Sequence, residues 1–335
     1  MDNFDKQEVK DSANKIKAIA LFSGGLDSIL AIKLVESQGI ECVAVNFSTP
    51  FYKLKNLEKI KSKYGIDVLD VDVTKDFIDV LQNPKYGYGS AINPCIDCKI
   101  LMMKKAKEMM KEFGAAFIVT GEVEGQRPMS QQKRAMDIIE REAEVKGILL
   151  RPLSALIFPE TEIERKKIID RSLLLNISGR SRKIQTELAR KFDITNYEQP
   201  SGGCILTEKS FKYKLIDYFK RAKNIDYNEL KLLKYGRHFR IGENKFIVGR
   251  NKIENDTLLS LKNASDIEFS VKNFMGPVTI LQGKPDEQSI KTAASLTLSY
   301  SDCNTRSAVV VYDNDKEILT EYVDKSAFND FNITK

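Results

Sequence analysis

Short apolar runs alternate with amphipathic stretches over the first 150 residues. KAIALF (17–22), CVAVNF (42–47), DVLDVD (67–72), AFIVT (116–120) and GILL (147–150) have the length and composition of strands. Apolar positions at helical spacing fall between them, over 27–38, 53–63, 75–82, 99–113 and 130–143. This βαβα order predicts an α/β fold: a parallel, Rossmann-like sheet with helices on both faces. The stretch 160–195 also has a helical pattern, NYEQPSGGC (196–204) forms a loop returning toward the sheet, and 209–222 is a further helix. Beyond 228 the pattern changes to alternating runs at 237–241, 245–249, 277–282 and 307–312, with one helix at 286–299, which predicts a smaller α+β domain. The expected plan is a tail at 1–15, a first domain at 16–205, a helical linker at 206–227 and a second domain at 228–335.

A length of 335 residues suits two domains, and 42% hydrophobic residues are enough for two cores. No run approaches the ~18 apolar residues that cross a bilayer, and the opening MDNFDKQEVKDSANK lacks the apolar centre of a signal peptide. A cytoplasmic protein with no membrane partner is expected. Five cysteines are too few for a disulfide framework in a chain of this size. The net charge of +6 is uneven: residues 171–252 hold 19 Lys and Arg against 8 Asp and Glu, and residues 253–335 hold 8 against 13. A concentrated positive segment suggests a polyphosphate partner such as RNA, although a lysine-rich solvated surface gives the same count.

The first strand runs into SGGLDS (23–28) and then an apolar helical face. Gly24 and Gly25 lack a Cβ, so backbone N–H groups there can converge on one point. The N-terminus of the next helix adds free amides and its positive dipole end, and together these make a phosphate cradle out of Ser23, Gly24, Gly25 and Ser28. Asp27 beside phosphate is repulsive unless it caps the helix or Mg²⁺ bridges it to the phosphates. Further nucleotide contacts are expected at strand exits. Thr49 follows the second strand, and Gly121 follows the fourth, where it would let ribose or adenine approach closely. Each of these is also compatible with an ordinary β–α loop.

Three cysteines form a second constellation. Cys95 and Cys98 stand in a C-x-x-C pair just before helix 99–113, where the helix start would lower a thiol pKa, and Cys204 follows another glycine pair. A four-ligand zinc site is hard to assemble, because Cys42 lies within a strand while Cys303 and the lone His238 lie in the later region. Three thiolates on an iron–sulfur cluster would leave one iron open. Arg180, Arg182 and Lys183 gather beside a glycine and suit phosphate contact, as a helix cap with solvated bases also would. In the later region Arg237, His238, Phe239, Arg240 and Arg250 offer charge and ring surface to RNA, with His238 itself better explained by packing.

The SGGxDS loop at the first strand resembles the PP-loop of the ATP pyrophosphatase family. That resemblance implies that the loop holds the pyrophosphate of ATP while a substrate oxygen attacks the α-phosphate. Within this family the chain is most similar to the tRNA thiolation branch, of the 4-thiouridine synthetase type. The branch pattern of a C-x-x-C pair and one later cysteine falls on Cys95, Cys98 and Cys204. It implies either a [4Fe-4S] cluster that carries sulfide or a persulfide thiol with a resolving partner. It further implies ATP, Mg²⁺, tRNA and a sulfur donor (sulfide or a cysteine desulfurase), with the oligomeric state left open, homodimer included. The polar stretch 120–132 at a strand exit, where open sheets bind substrates, offers Arg127, Ser130 and Gln131 as candidates for the uridine pocket. From Gly249, Arg250, Asn251, Asn255 and Asp256 to Ala293 and Ala294, the later region resembles the NFACT-R RNA-binding domain. Turn and cap chemistry would explain the same GRN and ND residues. The 4-thiouridine synthetases carry an N-terminal THUMP domain where this chain has about 15 residues before its first strand. The tRNA grip is therefore expected from the basic middle and the second domain. The alternatives are a 2-thiouridine-forming thiolase, a PP-loop amidotransferase or ligase on a small molecule, and a nucleotide-dependent RNA-binding protein without sulfur chemistry.

Overall fold

Ala18, Ile19 and Ala20 in the first strand have no exposed surface, which requires cover on both faces of the sheet. The computed structural model, which describes residues 15–197, 203–222 and 224–334, provides that cover. Its first unit runs β1 (Lys17–Leu21), α1 (Leu26–Glu36), β2 (Glu41–Ser48), α2 (Leu57–Tyr64), β3 (Val68–Asp72), α3 (Thr74–Gln82), α4 (Cys95–Phe113), β4 (Ala115–Thr120), α5 (Lys133–Glu142), β5 (Leu149–Leu150), α6 (Glu162–Arg165) and α7 (Lys183–Lys191). The strands form a parallel sheet in the order β3-β2-β1-β4-β5.

Successive residues of β1 serve opposite cores. Ala18 and Ala20 pack with α1 through Ile29 and Leu30, and their small side chains let that helix lie close. Ile19 packs on the other side with Met103 and Ala106 of α4 and Ile139 of α5. The chain order reverses between β1 and β4, so the exits of these two strands flank the crevice where open α/β sheets bind ligands.

Three expectations are corrected in this unit. Helix α4 starts at Cys95, four residues earlier than the periodicity suggests, because Pro94 occupies its N-cap and the Cys98 amide donates to the Pro94 carbonyl. The stretch 160–195 is not one helix: left-handed Lys167 and Gly179 interrupt it, leaving α6, a 3-10 turn at Arg171–Leu173, and α7. Residues 206–227 do not form a linker. The second compact unit begins at Ile205 and includes them.

That unit contains α8 (Lys209–Arg221), α9 (Tyr227–Leu232), β6 (Arg237–Ile241), β7 (Asn244–Val248), α10 (Lys252–Leu261), β8 (Ile267–Val271), β9 (Thr279–Gln282), α11 (Glu287–Ser299), β10 (Ser307–Tyr312) and β11 (Lys316–Glu321). Six strands form an antiparallel sheet in the order β11-β10-β8-β9-β7-β6. Ala293 and Ala294 bring α11 against one face beside Phe239, Phe246 and Phe269, while Ile247 and Ile280 meet Leu258 of α10 on the other. Among the described residues, no helix is long and apolar enough to cross a membrane.

Candidate functional site

Helix α1 starts bare. Gly25 is its N-cap and supplies no side-chain acceptor, so Asp27 does not cap the helix. Gly24 takes φ +71°, a left-handed conformation that turns the chain sharply between β1 and α1. Among the described residues, no acceptor meets the amides of Gly24, Gly25, Leu26 or Asp27. Four free N–H groups at a helix N-terminus form an anion cradle. Ser28 closes the loop from behind: its hydroxyl donates to the Gly25 carbonyl at 2.7 Å and accepts from the Ser23 amide at 3.3 Å. Thr49 contributes indirectly. Its Oγ1 accepts from the amides of Phe51 and Tyr52, and the resulting turn lets the Tyr52 hydroxyl donate to the Ser23 carbonyl at 2.8 Å.

Two segments separated in sequence converge on Asp27. Gln126 Nε2, from the β4 exit, donates to Asp27 Oδ2 at 2.7 Å, and Arg182 Nη2, at the start of α7, lies 3.5 Å from the same oxygen. The other oxygen, Oδ1, is buried and has no partner. A buried bare carboxylate oxygen beside free amides fits a divalent cation shared with phosphate, so the residues suit Mg²⁺. The segments themselves are joined by Gly179 N–H to the Glu124 carbonyl at 2.7 Å and by Gln185 Nε2 to Gln126 Oε1 at 3.3 Å. Arg127 is half-buried in the same loop, Ser130 is buried, and Arg180 and Lys183 stand exposed on either side of Arg182. The room at Gly121 is filled by the chain itself. A Cβ there would lie 2.6 Å from the Ser28 amide nitrogen, so the close approach is to α1.

Cys95 and Cys98 occupy one face of the first turn of α4, three residues apart. The amide of Asn93 donates to Cys95 Sγ at 3.1 Å and lies 3.7 Å from Met129 Sδ, which ties the thiol pair to the loop carrying Gln126. All five cysteines are free thiols. Cys98 is half-exposed by surface area, yet enough protein surrounds it for burial to push its thiol up to about 12. Lys99 pulls the other way, while Cys204 and Cys95 raise it further. At Cys98 burial thus works against the lowered pKa expected at this helix start. That coupling places Cys204 in the same neighbourhood as the pair. Thiols suit a thiophilic centre by donor chemistry, and Asp97 between the two of the pair is turned to other partners, accepting from the Lys85 and Tyr86 amides at 3.0 Å each. Among the described residues, no three His, Cys, Asp or Glu side chains are already drawn together as a metal site.

A buried ionic chain, absent from the sequence expectations, braces this region. Glu122 lies 3.3 Å from Lys99, the residue after Cys98, and 3.2 Å from Arg151 at the β5 exit, which also binds Glu140. Burial alone would raise the Glu122 pKa, but Lys99 and Arg151 overcome it and hold the carboxyl below its usual range. The signal available in sequence was a Glu directly after a strand-end glycine and an Arg directly after the next strand.

In the second unit the candidate RNA-binding residues separate by their partners. Arg240 spends its fork on Asp217 of α8, at 3.1 and 2.6 Å, and is largely occupied. Arg237 lies over the Tyr300 ring, 4.7 Å from its centroid, and Arg250 remains exposed while donating to the Gly236 carbonyl. His238 is fully buried and bonded to the Tyr235 carbonyl at 2.7 Å, a packed residue as expected. Asn251 caps α10, and Asn255 fills the space beside Gly249 while bonding the 276–278 segment, so these two do turn and cap work.

Residues 13–168 match the family profile described as thiamine biosynthesis protein (ThiI), and residues 236–335 match that of the NFACT protein RNA binding domain. A probable tRNA sulfurtransferase from Thermococcus kodakarensis is 31% identical over 159 residues, 46% of this chain and 39% of that protein. The chain thus spans well under half the length of that relative. Among solved structures, a 4-thiouridine synthetase–RNA complex with bound ATP aligns at 23% identity over 53% of this chain and 51% of that one, with a TM-score of 0.35. The U34-tRNA thiolase NcsA from Methanococcus maripaludis with its [4Fe-4S] cluster aligns at 14% identity over 66% and 71%, with a TM-score of 0.31. The two profile matches thus fall on separate parts of the chain, a ThiI-like PP-loop domain at 13–168 and an NFACT-R-like RNA-binding domain at 236–335.

Proposed function

We propose that this protein thiolates a uridine of tRNA at the expense of ATP. The observation that carries the proposal is the uncapped β1–α1 loop, with four free amides and, on Asp27 of the same turn, a buried carboxylate oxygen that has no partner. The amides of Gly24, Gly25, Leu26 and Asp27 would hold the pyrophosphate portion of ATP, with Asp27 Oδ1 a ligand to Mg²⁺ on the phosphates. A uridine carbonyl oxygen attacks the α-phosphorus, the bond to the β-phosphate oxygen breaks, and pyrophosphate leaves with its charge still balanced by the cradle. The adenylated carbon is then open to sulfur, and AMP departs as sulfur takes the place of oxygen.

Cys95, Cys98 and Cys204 would hold the sulfur-bearing centre. Bound there, a [4Fe-4S] cluster would supply an iron with one open position for sulfide. Asn93, bonded to Cys95, and the buried Glu122–Lys99 pair keep the first turn of α4 in place beside the β4 exit. The donor would be sulfide or a cysteine desulfurase. Arg127, Arg180, Arg182 and Lys183 from the first unit, and Arg237 and Arg250 from the second, would contact RNA, with the chain acting alone or as a homodimer. Pyrophosphate release from MgATP, with and without tRNA, tests this reading. Release that depends on tRNA is expected; equal release in its absence would overturn it.

A further inference from the structure

Building on that reading, we infer that Gln126 is a positioning residue that, held in turn by Gln185, aims Asp27 at its cation. A carboxylate oxygen only accepts hydrogen bonds, so Gln126 must turn its NH₂ to Asp27 Oδ2, at 2.7 Å. Its carbonyl then faces Gln185, whose NH₂ donates at 3.3 Å from a side chain with no exposed surface. One carboxylate therefore sets the orientation of two amides in series. Gln126 and Arg182 together occupy Oδ2, and Oδ1 is left bare and buried.

The backbone holds this relay rigidly. Gly125 takes φ +74° and packs on Gly179, where a Cβ would meet the Gly179 nitrogen at 3.3 Å. The Gly125 amide donates to the Gln131 carbonyl at 2.7 Å, and the Gln126 amide to that of Val123 at 3.2 Å. The backbone of Gln126 is thus fixed near Asp27 by the joint between the β4 exit and the 178–179 turn, and its side chain is oriented by the bonds to Asp27 and Gln185. A Gln that clamps one oxygen of a metal ligand fixes the direction of the other, as the hydrogen-bonded partners behind metal ligands generally do.

Titration of the full-length protein with Mn²⁺, followed by electron paramagnetic resonance in the presence of a non-hydrolysable ATP analogue, tests this directly. Gln126→Leu should weaken Mn²⁺ binding about tenfold, the low end for a group that orients a metal ligand from behind. Nucleotide binding in EDTA should be unchanged, which also reports that the variant is folded. Gln185→Leu should weaken Mn²⁺ binding less, and the double variant should match Gln126→Leu alone because the two amides act in series. Wild-type affinity in Gln126→Leu, or additive losses in the double variant, would overturn the relay. If wild-type protein itself binds no Mn²⁺ with the nucleotide, the proposed function fails along with it.

Discussion

Gly121 and Ser28 meet backbone to backbone: a Cβ on Gly121 would lie 2.6 Å from the Ser28 amide nitrogen, with the Asp27 carbonyl closer still. This contact locks the β4 exit against the first turn of α1 and sets the spacing between the phosphate cradle and the loop that carries Gln126. Gly121→Ala must push these segments apart. We expect a loss of about 1–3 kcal/mol, as for other overpacked sites, together with weakened ATP binding. Thermal denaturation and nucleotide titration check both effects. An unchanged melting temperature would mean that the contact gives way freely.

Asp27 is expected to be indispensable for the adenylation step. Asp27→Ala should reduce pyrophosphate release at least a hundredfold, the scale on which preorganised electrostatic groups act. Near-normal turnover would refute the placement of the phosphates at this loop.

The thiols should separate from the nucleotide chemistry. Cys204→Ala is expected to bind ATP as the wild type does and to incorporate no sulfur into RNA. Isothermal titration and thionucleoside analysis read the two properties independently. Thiolation at the wild-type rate would remove Cys204 from the site.

Two buried lysines give the second unit a pH signature. Burial, aided by Arg250 and Lys245, brings Lys214 down to about 7, and burial with Arg240 brings Lys245 down to about 8, both from 10.5. Above pH 7 the unfolded chain binds more protons at these amines than the folded unit does, so stability rises with pH from about 7 toward 10. Below that window both amines are protonated in both states and the gain is lost. Tyr218, pushed up to about 12 by burial, works the other way only above pH 10. Hydrogen exchange in β6 and β7 should therefore be slower relative to the intrinsic rate at pH 9 than at pH 7. The opposite order would show that the Leu233 and Gly236 carbonyls, each 3.1 Å from Lys214, keep its ammonium charged.

Arg240 and Arg250 should behave differently. Arg240→Ala removes the two-pronged partner of Asp217 and leaves it only Arg221, at 3.3 Å, so it should cost roughly 1 kcal/mol, the upper end for exposed ion pairs. Arg250→Ala should leave the fold intact and lower the salt slope of RNA binding by about one. Denaturant unfolding and filter binding at several salt concentrations distinguish the two.

The first unit's strands were legible because short apolar runs mark them, most clearly in β1 and β4, whose central residues are buried, whereas β3, VLDVD, is only partly covered. The second unit was harder. Strand β11, KEILTE, is an edge strand whose Leu319 is largely exposed, so its pattern carries little signal. The SGGLDS loop and the cysteines were visible as motifs, but their setting was not. Gln126, Gln185, Tyr52 and Asn93 are ordinary residues in sequence and gain their importance only when segments from 29 to 99 positions apart fold together. The helical pattern over 160–195 misled for a related reason, since left-handed Lys167 and Gly179 override local periodicity to bring Arg182 to Asp27.

Nucleoside mass spectrometry of unmodified tRNA incubated with anaerobically purified protein, MgATP and sulfide tests the central claim most directly. We expect a uridine heavier by the exchange of one oxygen for sulfur, formed only when ATP is present. ATP cleavage to AMP and pyrophosphate with no sulfur-containing nucleoside would contradict it.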